Sequence, residues 1–496
     1  MKGRSSWRPL VAALFLAVVC AGCIPGDGRI SPAATGSATG KPTGANPTDG
    51  ASDPDHTLTC WVPLEGWALP AISSYDDCEI FAEVERRTGI RIVWIHPAPG
   101  QETERFNLMI ASNELPDMIQ QASRYRGGIS NGVNDGVYLR LNELIDSTAP
   151  NYKWLRERDP EIARGTRDDE GNLCAFYGLS PYEEWTWWGP MLRADWMEEL
   201  DLGIPVTISD WRQVLTAFRD RKGAEAPLLF PPNGRDWTSL VMSAYDAYDW
   251  LYRKDGEVRF GPTQPGMKEY LAEMRQWYAE GLIDRYFAVR DWQQWQQMAI
   301  NGKSGAFFQS PDTMTSILEP HGLSFVAAPF PVREIGDSIH MRYRGTKVLG
   351  QETAITTQCR TPEVAVAWLD FGYGRDGWEL YNYGLEGRTH IKNEDGKPMF
   401  WEGSIVYHDP DGIPTVNALW RYKLHWGPFL RDEHYANPIL VMSEESRRAR
   451  QFWTESNDGA YSMPPATLLP EEGKREAAIS AQISTYVSEM VVKFIM

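Results

Sequence analysis

The feature that most constrains the fold is a regular alternation of strand and helix patterns near the start of the globular part. Short apolar runs at 58–62, 90–95 and 115–119 are typical of buried strands. Between them, 76–89 and 106–111 carry apolar residues at helical spacing, and the first of these helices ends at a glycine. Strands separated by helices predict a parallel sheet with right-handed crossovers. We therefore assign the chain to the α/β class.

The rest of the chain continues the mixed pattern in a less regular order. Between 388 and 470 the sequence is polar and aromatic without a clear period, so this stretch is predicted to be irregular, and a final helix is predicted at 471–495. The pattern indicates two α/β lobes, with the chain crossing between them more than once. The remaining predicted elements are helices at 210–221, 267–280, 291–301 and 362–373 and strands at 304–308, 323–328 and 353–357.

The first 22 residues have the pattern of a secretion signal. A basic start precedes an unbroken apolar run, Leu10–Cys20, which is too short to span a bilayer but has the length of a signal-peptide core. The run leads into Cys20-Ala-Gly-Cys23, which resembles a bacterial lipobox. We expect cleavage before Cys23, whose thiol is then acylated. Plain secretion with cleavage elsewhere is the alternative.

Residues 24–56 form the predicted connection between this anchor and the globular part. They are mainly Gly, Pro, Ser, Thr, Ala and Asp, which leaves almost nothing to bury and indicates a flexible linker. A flexible chain of this length reaches roughly 30 Å. Together, the acylated Cys23 and the linker predict a protein tethered to the outer face of the cell membrane rather than spanning it.

Charge and aromatic content narrow the function classes. Lys and Arg number 49 against 67 Asp and Glu, a formal net charge of −18, whereas nucleic-acid binding needs a basic surface. The chain also holds 21 tryptophans. An indole offers a large rigid face and one N–H, which suits ligand binding, but it also fills large cores. The composition thus excludes a nucleic-acid-binding protein and favours an aromatic-rich site, core or both.

Cysteine usage leaves two possibilities open. Four cysteines follow Cys23, and four thiols allow three disulfide pairings. Secretion permits disulfides, but none of the spacings is typical of a metal or redox motif. Bridges and buried free thiols are therefore both consistent with Cys60, Cys78, Cys174 and Cys359.

Sequence motifs for catalysis are weak. Gly128-Ile-Ser-Asn-Gly132 matches the G-x-S-x-G pattern, but a nucleophile elbow needs a strand before the serine and a helix after it, and both flanks have loop composition. A glycosidase needs a facing carboxylate pair, for which Glu183-Glu184 is the best candidate. The sequence contains no HExxH, phosphate-binding loop or Cys–His cluster. We predict no catalytic residue, no metal site and no cofactor.

Several longer stretches together carry a family resemblance. They are 171–182, 191–211, 277–284 with 301–306, and 382–390, which contains Asn-Tyr-Gly-Leu-Glu-Gly. With the leader and linker, these stretches are similar to family 1 extracellular solute-binding proteins of ABC importers, within the large LipO-like lipoprotein branch, and more distantly to alginate-oligosaccharide-binding proteins. The resemblance covers nearly the whole mature chain, except that relatives usually continue beyond the last helix, so we expect C-terminal helices to be missing here.

The resemblance implies a class II periplasmic-binding-protein fold, in which two α/β lobes are joined by hinge crossovers and close on a ligand. It implies a receptor that captures an oligosaccharide and delivers it to the transmembrane subunits of a permease, acting as a monomer. We expect a signal peptide at 1–22, the acylated cysteine and linker at 23–56, a first lobe at 57–178 and 340–390, and a second lobe at 179–339 and 391–496. A secreted glycosidase or lyase, a peptide-binding protein and a sensor on the same fold are the alternatives.

Candidate ligand-binding residues are aromatic and polar side chains near the predicted hinge. Sugars present apolar C–H faces and rings of hydroxyls, which aromatic rings and polar groups match. Trp185 and Trp187 point to the same side if their segment is extended. Arg388 is suited either to a uronate carboxylate or to a structural ion pair. The full set is Trp67, Tyr182, Trp185, Trp187, Trp188, Asp236, Trp237, Tyr383, Glu386, Arg388 and Trp420.

Overall fold

Two β-sheets, of five and four strands, organise the described part of the chain. The computed structural model describes residues 56–182, 186–229, 241–341, 346–432, 436–438, 443–463 and 470–496. The strands are β1 (Thr57–Trp61), β2 (Arg91–Ile95), β3 (Met118–Gln120), β4 (Phe176–Leu179), β5 (Gly189–Arg193), β6 (Leu228–Leu229), β7 (Leu251–Lys254), β8 (Glu257–Phe260), β9 (Ala306–Gln309), β10 (Phe325–Ala327), β11 (Val348–Ile355), β12 (Ile391–Lys392) and β13 (Pro398–Met399).

Helices pack around both sheets. In chain order they are α1 (Glu79–Thr88), α2 (Glu102–Ser112), α3 (Ile129–Asn134), α4 (Asn142–Thr148), α5 (Pro150–Arg158), α6 (Pro160–Gly165), α7 (Ala194–Glu199), α8 (Ile208–Lys222), α9 (Pro265–Ala279), α10 (Trp292–Ile300), α11 (Pro311–Leu318), α12 (Pro362–Phe371), α13 (Arg375–Tyr383), α14 (Thr415–Tyr422), α15 (Glu444–Ser456) and α16 (Pro470–Ile495).

The five-stranded sheet has the order β2-β1-β3-β11-β4, and with its packed helices it forms what we call the first lobe. Strand β1 runs parallel to β2 and β3, with Thr57 opposite Arg91 and Cys60 opposite Met118. The late strand β11 returns to this sheet and pairs antiparallel with β3 and β4. The parallel arrangement predicted from the alternation at 58–119 is therefore confirmed, and a distant segment completes the sheet.

Local sequence signals set several helix ends. Helix α1 ends at Gly89, whose φ of 71° lies in the left-handed region that glycine adopts without strain. Helix α8 begins at Thr207, whose hydroxyl accepts a hydrogen bond from the Asp210 N–H at 3.1 Å, while the Asp210 carboxylate accepts from the Thr207 N–H at 2.9 Å. This reciprocal cap satisfies two N–H groups that would otherwise lack a partner.

The four-stranded sheet has the order β10-β5-β9-β6 and forms, with its helices, the second lobe. Strand β5 is antiparallel to β9 and β10, and β6 is parallel to β9. Large indoles fill the core of this lobe: Trp211, Trp277, Trp295 and Trp453 are each at most 1% exposed. Many of the tryptophans are thus core residues rather than ligand contacts.

The chain passes between the sheets from β4 to β5 and returns from β10 to β11. The predicted α/β fold with two lobes and hinge crossovers is confirmed. Inside the stretch predicted to be irregular, however, the structure contains helices α14 and α15, so that prediction is wrong. Helix α14 spans only 8 residues, and so short a helix gives little periodic signal in the sequence.

The segment before residue 432 packs on the first lobe, although the sequence pattern assigned 391–496 to the second. Trp420 of α14 lies in a buried cluster with Val62 and Ile72, and Arg421 donates to the carbonyl of Ala71 at 2.7 Å. Leu424 and Phe429 belong to the core under the five-stranded sheet. The assignment differed because local sequence does not report which of two apolar surfaces a short helix covers.

The last helix, α16, contacts both lobes. It packs along α9 of the second lobe, where Ile495 is fully buried in the core. At its other end, a Cβ built on Gly473 would lie only 2.6 Å from the carbonyl oxygen of Gly127, near helix α3 of the first lobe. The glycine therefore permits a close approach between the helix and the first lobe.

The four cysteines of the globular part are free and buried, so the structure supports the alternative without disulfides. Burial raises the pKa of the thiols of Cys78, Cys174 and Cys359 to about 12, which keeps them protonated at neutral pH. Among the residues that the structure describes, no helix combines the length and hydropathy needed to cross a bilayer.

Candidate ligand-binding site

Tryptophans from both lobes meet where the lobes face each other. Trp67 follows strand β1, and Trp292 begins helix α10 of the second lobe, with their ring centroids 5.6 Å apart. Trp292 also stacks on Trp295 of the same helix, with the centroids 5.0 Å apart and the planes inclined by 15°. Trp67 is 37% exposed and Trp292 is half-buried. Partly accessible indole faces therefore lie at the boundary between the lobes.

Polar side chains lie at the carboxyl ends of strands β1 and β3. The Gln121 amide donates to the carboxylate of Glu65 at 3.2 Å, and Arg124 Nε donates to the Gln121 oxygen at 2.8 Å. Burial raises the pKa of Glu65, while Arg124 and Gln121 act in the opposite direction. This edge of an open α/β sheet is where ligands generally bind.

The segment following α14 adds an aromatic and cationic wall on the first-lobe side. The ring of His425 lies 5.1 Å from that of Trp420 and 5.3 Å from that of Trp426. The guanidinium of Arg431 lies 4.5 Å from the Trp426 centroid, in a cation–π contact. Burial, together with the positive charges of Lys423 and Arg431, holds the pKa of His425 well below its usual value, so this ring is neutral.

On the second-lobe side, a buried ion pair lies against an indole. Arg450 of α15 is 1% exposed and donates through Nη2 to Asp312 at the start of α11. Its guanidinium lies 3.9 Å from the centroid of Trp187. Arg450 Nε and Nη1 and Asp312 Oδ1 have no hydrogen-bond partner among the described residues. Donors and an acceptor are thus left unmatched in a buried position, which is costly.

Two contacts join this ion pair to the first-lobe wall. Asn437 donates its side-chain amide to Asp312 Oδ2 at 3.2 Å, and Lys423 Nζ donates to the carbonyl of the preceding Ala436 at 3.0 Å. Lys423 is 7% exposed. Burial and, less strongly, Arg431 lower its pKa to about 7, against the opposing effect of Asp432. The protonated and neutral forms of this amine are therefore both populated near pH 7.

We call this region the lobe junction, formed by three groups of side chains. It combines accessible indole faces with buried charged donors and acceptors, which is the chemistry of a site for a ligand with both apolar faces and polar groups. Its members are the paired indoles Trp67 and Trp292, the first-lobe wall Trp420, Lys423, His425, Trp426 and Arg431, and the second-lobe group Trp187, Asp312, Asn437 and Arg450.

A concave region of the second lobe, which we call the second-lobe pocket, has a volume of about 620 Å³. Three basic side chains on its wall each contact a carboxylate. Lys254 contacts Asp246 at 2.7 Å, Arg333 contacts Glu269 at 2.7 Å, and His340 contacts Asp458 at 2.6 Å. All of its lining residues lie between 243 and 340 or at Tyr461.

Comparisons with known proteins place the chain in a functional class. No family model matches it. It is 22% identical over 439 residues to the fructooligosaccharide ABC transporter substrate-binding protein FusA of Streptococcus pneumoniae serotype 4, covering 82% of this chain and 79% of FusA. It is 24% identical over 283 residues to Lipoprotein LipO of Bacillus subtilis, covering 54% of this chain and 53% of LipO.

The chain is thus similar to extracellular solute-binding proteins of ABC transporters, including Lipoprotein LipO. A third relative is the polygalacturonan/rhamnogalacturonan-binding protein YtcQ of Bacillus subtilis, 22% identical over 84% of this chain and 80% of YtcQ. The predicted resemblance is confirmed.

Solved structures of solute-binding proteins share the fold of this chain. The alginate-binding protein AlgQ2, solved without calcium ion, superposes with a TM-score of 0.72 at 22% identity, over 89% of this chain and 91% of AlgQ2. FusA in complex with kestose gives a TM-score of 0.74 at 20% identity, over 88% of this chain and 92% of FusA.

Some of the predicted site residues lie at the lobe junction. Trp67, Trp187 and Trp420 contact it as described above, although Trp420 is only 1% exposed. Trp188 is half-buried beside strand β5, and Tyr182 is 41% exposed on the crossover from β4. The remaining predicted positions Trp185, Asp236 and Trp237, like the lipidation site Cys23, lie outside the described residues.

Three predicted residues make their contacts elsewhere in the first lobe. Tyr383 is 2% exposed and stacks on Phe400, with the centroids 5.5 Å apart. Arg388 forms a bidentate ion pair with Glu79, with Nε 2.6 Å from the carboxylate. Glu386 pairs with a lysine, as described next. These side chains already have partners, because the Asn-Tyr-Gly-Leu-Glu-Gly element packs a helix end rather than facing the lobe junction.

Glu379, Glu386 and His390 bring possible metal-ligand atoms within 4.8 Å of one another. However, the ammonium of Lys392 lies 3.0 Å from Glu379 and 3.1 Å from Glu386. The cluster is thus an ion-pair network centred on a lysine, and its chemistry does not call for a metal.

Sequence reasoning missed the most unusual side chains of the lobe junction. Asp312, Lys423 and Arg450 are far apart in sequence and carry no shared motif, so only the fold brings them together. Trp292 could have been found, because Trp292-Gln-Gln-Trp295 puts two indoles on one face of a helix that was predicted and is capped by Asp291.

Proposed function

We propose that this protein is a membrane-tethered receptor of an ABC importer, which binds an oligosaccharide at the lobe junction and delivers it to a permease. The lobes close on the ligand by a hinge motion, and the ligand leaves chemically unchanged. The observation that carries the proposal is the meeting of Trp67 and Trp292 across the two lobes, 5.6 Å apart.

Sugar chemistry supports this use of the lobe junction. Aromatic rings stack on the C–H faces of pyranose and furanose rings, and buried polar groups match the hydroxyls. Trp67 and Trp292 supply the rings, and Asp312 and Arg450 supply an acceptor and donors. The relatives FusA, AlgQ2 and YtcQ are likewise named as binders of oligo- or polysaccharides.

The tether and the lobe limits belong to the same proposal. Cleavage before Cys23, acylation of its thiol and a flexible linker to residue 56 hold the protein at the outer face of the membrane. The first lobe starts at residue 57, and the two lobes exchange the chain near 180 and 340, with the receptor acting as a monomer. A Cys23→Ser variant is then released into the medium, whereas retention on cells would contradict the lipid anchor.

A thermal-shift screen of the full chain, purified in mild detergent, tests the binding function. The panel contains fructooligosaccharides, oligogalacturonates, alginate oligosaccharides and, for the alternative, peptides. A ligand at 100 times its dissociation constant adds about 2.7 kcal/mol to the free energy of unfolding. We expect a rise in Tm with an oligosaccharide that is recovered intact. Cleaved sugar would favour the glycosidase or lyase alternative, and a rise with peptides alone would contradict the proposal.

A further inference from the structure

We propose that the lobe junction selects acidic oligosaccharides, with Arg450 binding the carboxylate of a uronate unit and Lys423 adding a second positive charge. This inference rests on the proposed function and specifies the substrate class of the same site. It is carried by the placement of the two cations at the meeting of the lobes and by the unmatched donors there.

Arg450 is buried and held in place, yet two of its nitrogen donors lack a partner among the described residues. Its guanidinium is held in place by Asp312 on one side and by the ring of Trp187, 3.9 Å away, on its face. Nε and Nη1 remain without a partner among the described residues, although the side chain is 1% exposed. A carboxylate accepts charge-assisted hydrogen bonds from guanidinium N–H groups, and these are stronger than the bonds that a neutral sugar hydroxyl accepts.

The second step is the charge of the region. When Lys423 is protonated, the described part of this region holds three buried cations, Lys423, Arg431 and Arg450, and two buried carboxylates, Asp312 and Asp432. Buried charge is costly unless it is compensated. A sugar hydroxyl would accept a hydrogen bond but leave the charge as it is, whereas a uronate carboxylate matches both the donors and the charge.

The third step concerns the rest of the sugar. Asp312 Oδ1 is a buried acceptor without a partner in the described part of the chain, so a sugar hydroxyl adjacent to the carboxylate has a place to donate. The indole pair Trp67 and Trp292 offers faces on which neighbouring sugar rings stack. One acidic unit held by charge and further units held by stacking describe an oligosaccharide rather than a small free anion.

Isothermal titration calorimetry of the full chain in mild detergent tests this proposal. The probes are trigalacturonate, its fully methyl-esterified form, an alginate trisaccharide and a fructooligosaccharide. We expect an acidic trisaccharide to bind about tenfold to 100-fold more tightly than a neutral one, the range of a charged hydrogen bond. Arg450→Met and Lys423→Met should lower the affinity for the acid by a larger factor than the affinity for the neutral sugar, so that the acid preference shrinks. Arg333→Met in the second-lobe pocket is the matched control.

The other outcomes separate failure of this inference from failure of the proposed function. Equal affinity for acid and ester, or preference for the neutral sugars, would overturn the inference while leaving the proposed function intact. No binding of any of the sugars would contradict the proposed function itself. If Arg450→Met fails to fold, as shown by loss of its unfolding transition, Lys423→Met decides the question, because unchanged acid preference in that variant would overturn the role of the positive charge.

Discussion

The lobe junction and the second-lobe pocket differ in how their charges are matched. In the pocket, Lys254, Arg333 and His340 each contact a carboxylate within 2.7 Å. At the lobe junction, Arg450 is 1% exposed and retains unpartnered donors among the described residues, and Lys423 has a pKa lowered to about 7. The charged side chains of the second-lobe pocket, which are more exposed, are thus better matched than those of the lobe junction.

This difference shows that a concave surface and a binding site are separate properties. Paired charges on a solvent-filled surface cost little and gain little from a ligand. Buried donors without a partner carry a free-energy cost that a matching ligand removes on binding. The lobe junction also draws its side chains from both lobes, so a ligand there stabilises the closed arrangement, whereas a ligand in the second-lobe pocket would contact one lobe only.

The largest effect is expected from Trp67→Ala. The variant removes one of the two facing indoles, and central aromatic contacts commonly contribute 2 kcal/mol or more, so the affinity for an oligosaccharide should fall about 30-fold or more. Calorimetry measures this change. Trp154→Ala is the matched control, since Trp154 is 51% exposed on the first lobe and contacts Arg158. Equal losses in both variants would remove the distinction between the lobe junction and the rest of the surface.

A pH dependence should appear only for acidic ligands. Burial is the main cause that lowers the pKa of Lys423 to about 7, with Arg431 acting in the same direction and Asp432 opposing it. A bound carboxylate favours the protonated amine, so binding takes up a proton. The affinity for an acidic trisaccharide should therefore fall about tenfold as pH rises from 7 to 9, as measured by calorimetry. The same slope in Lys423→Met would assign the effect to another group.

In the ligand-free protein, the same lysine affects stability with the opposite pH sign. The folded state holds Lys423 at a pKa of about 7, whereas in the unfolded chain it titrates near its ordinary value of 10.5. Between pH 7 and pH 10.5 the unfolded state binds more protons, so the contribution of this group to stability rises with pH. Below pH 7 both states are protonated, and the buried charge destabilises the folded state most. We expect the Tm difference between Lys423→Met and the wild type to be greatest at pH 6 and to shrink toward pH 10.

A smaller effect is expected from Trp187→Ala. The ring lies 3.9 Å from the Arg450 guanidinium, and a desolvated cation–π contact contributes about 0.5–2 kcal/mol. The affinity for an acidic ligand should fall roughly threefold to tenfold, because Arg450 is less well oriented, and the neutral ligand should change less. Trp185→Ala is expected to weaken binding as well, on the sequence prediction that Trp185 lies on the same side as Trp187. Normal binding by both variants would contradict the placement of the site.

The smallest effect is expected in the second-lobe pocket. Arg333→Met removes a surface ion pair with Glu269, in which both side chains are about half exposed. Such pairs contribute about 0–1 kcal/mol to stability. Affinity for either class of sugar should change less than twofold, as measured in parallel with the variants above. A loss comparable to that of Trp67→Ala would move the ligand site to this pocket.

The sequence predicted the architecture better than the site. The first sheet follows from strands and helices whose apolar periods are local, and Gly89 marks a helix end by itself. Residue types near the hinge singled out Trp67 and Trp187, which the structure places at the lobe junction, and their contact with a ligand stays a prediction. The pairing of Arg450 with Asp312, 138 positions apart in the chain, depends on how α11 and α15 pack, which local patterns do not encode.

The resemblance to a known family was likewise a poor guide to which residues face the lobe junction. The element around Tyr383 matches the branch well, yet Tyr383 is 2% exposed and Arg388 is paired with Glu79. A motif can persist because it holds a helix end in a core, and residue chemistry alone does not separate that role from ligand contact. Burial and partners do separate them.

The most direct measurement is a calorimetric titration of wild type and Trp67→Ala with the oligosaccharide that stabilises the wild type most, followed by chromatography of the recovered sugar. The account predicts one-to-one binding by the wild type, intact sugar, and about 30-fold or greater loss of affinity in the variant. Unchanged affinity in Trp67→Ala, or recovery of shorter sugars, would contradict the claim that this protein is a receptor whose ligand lies at the lobe junction.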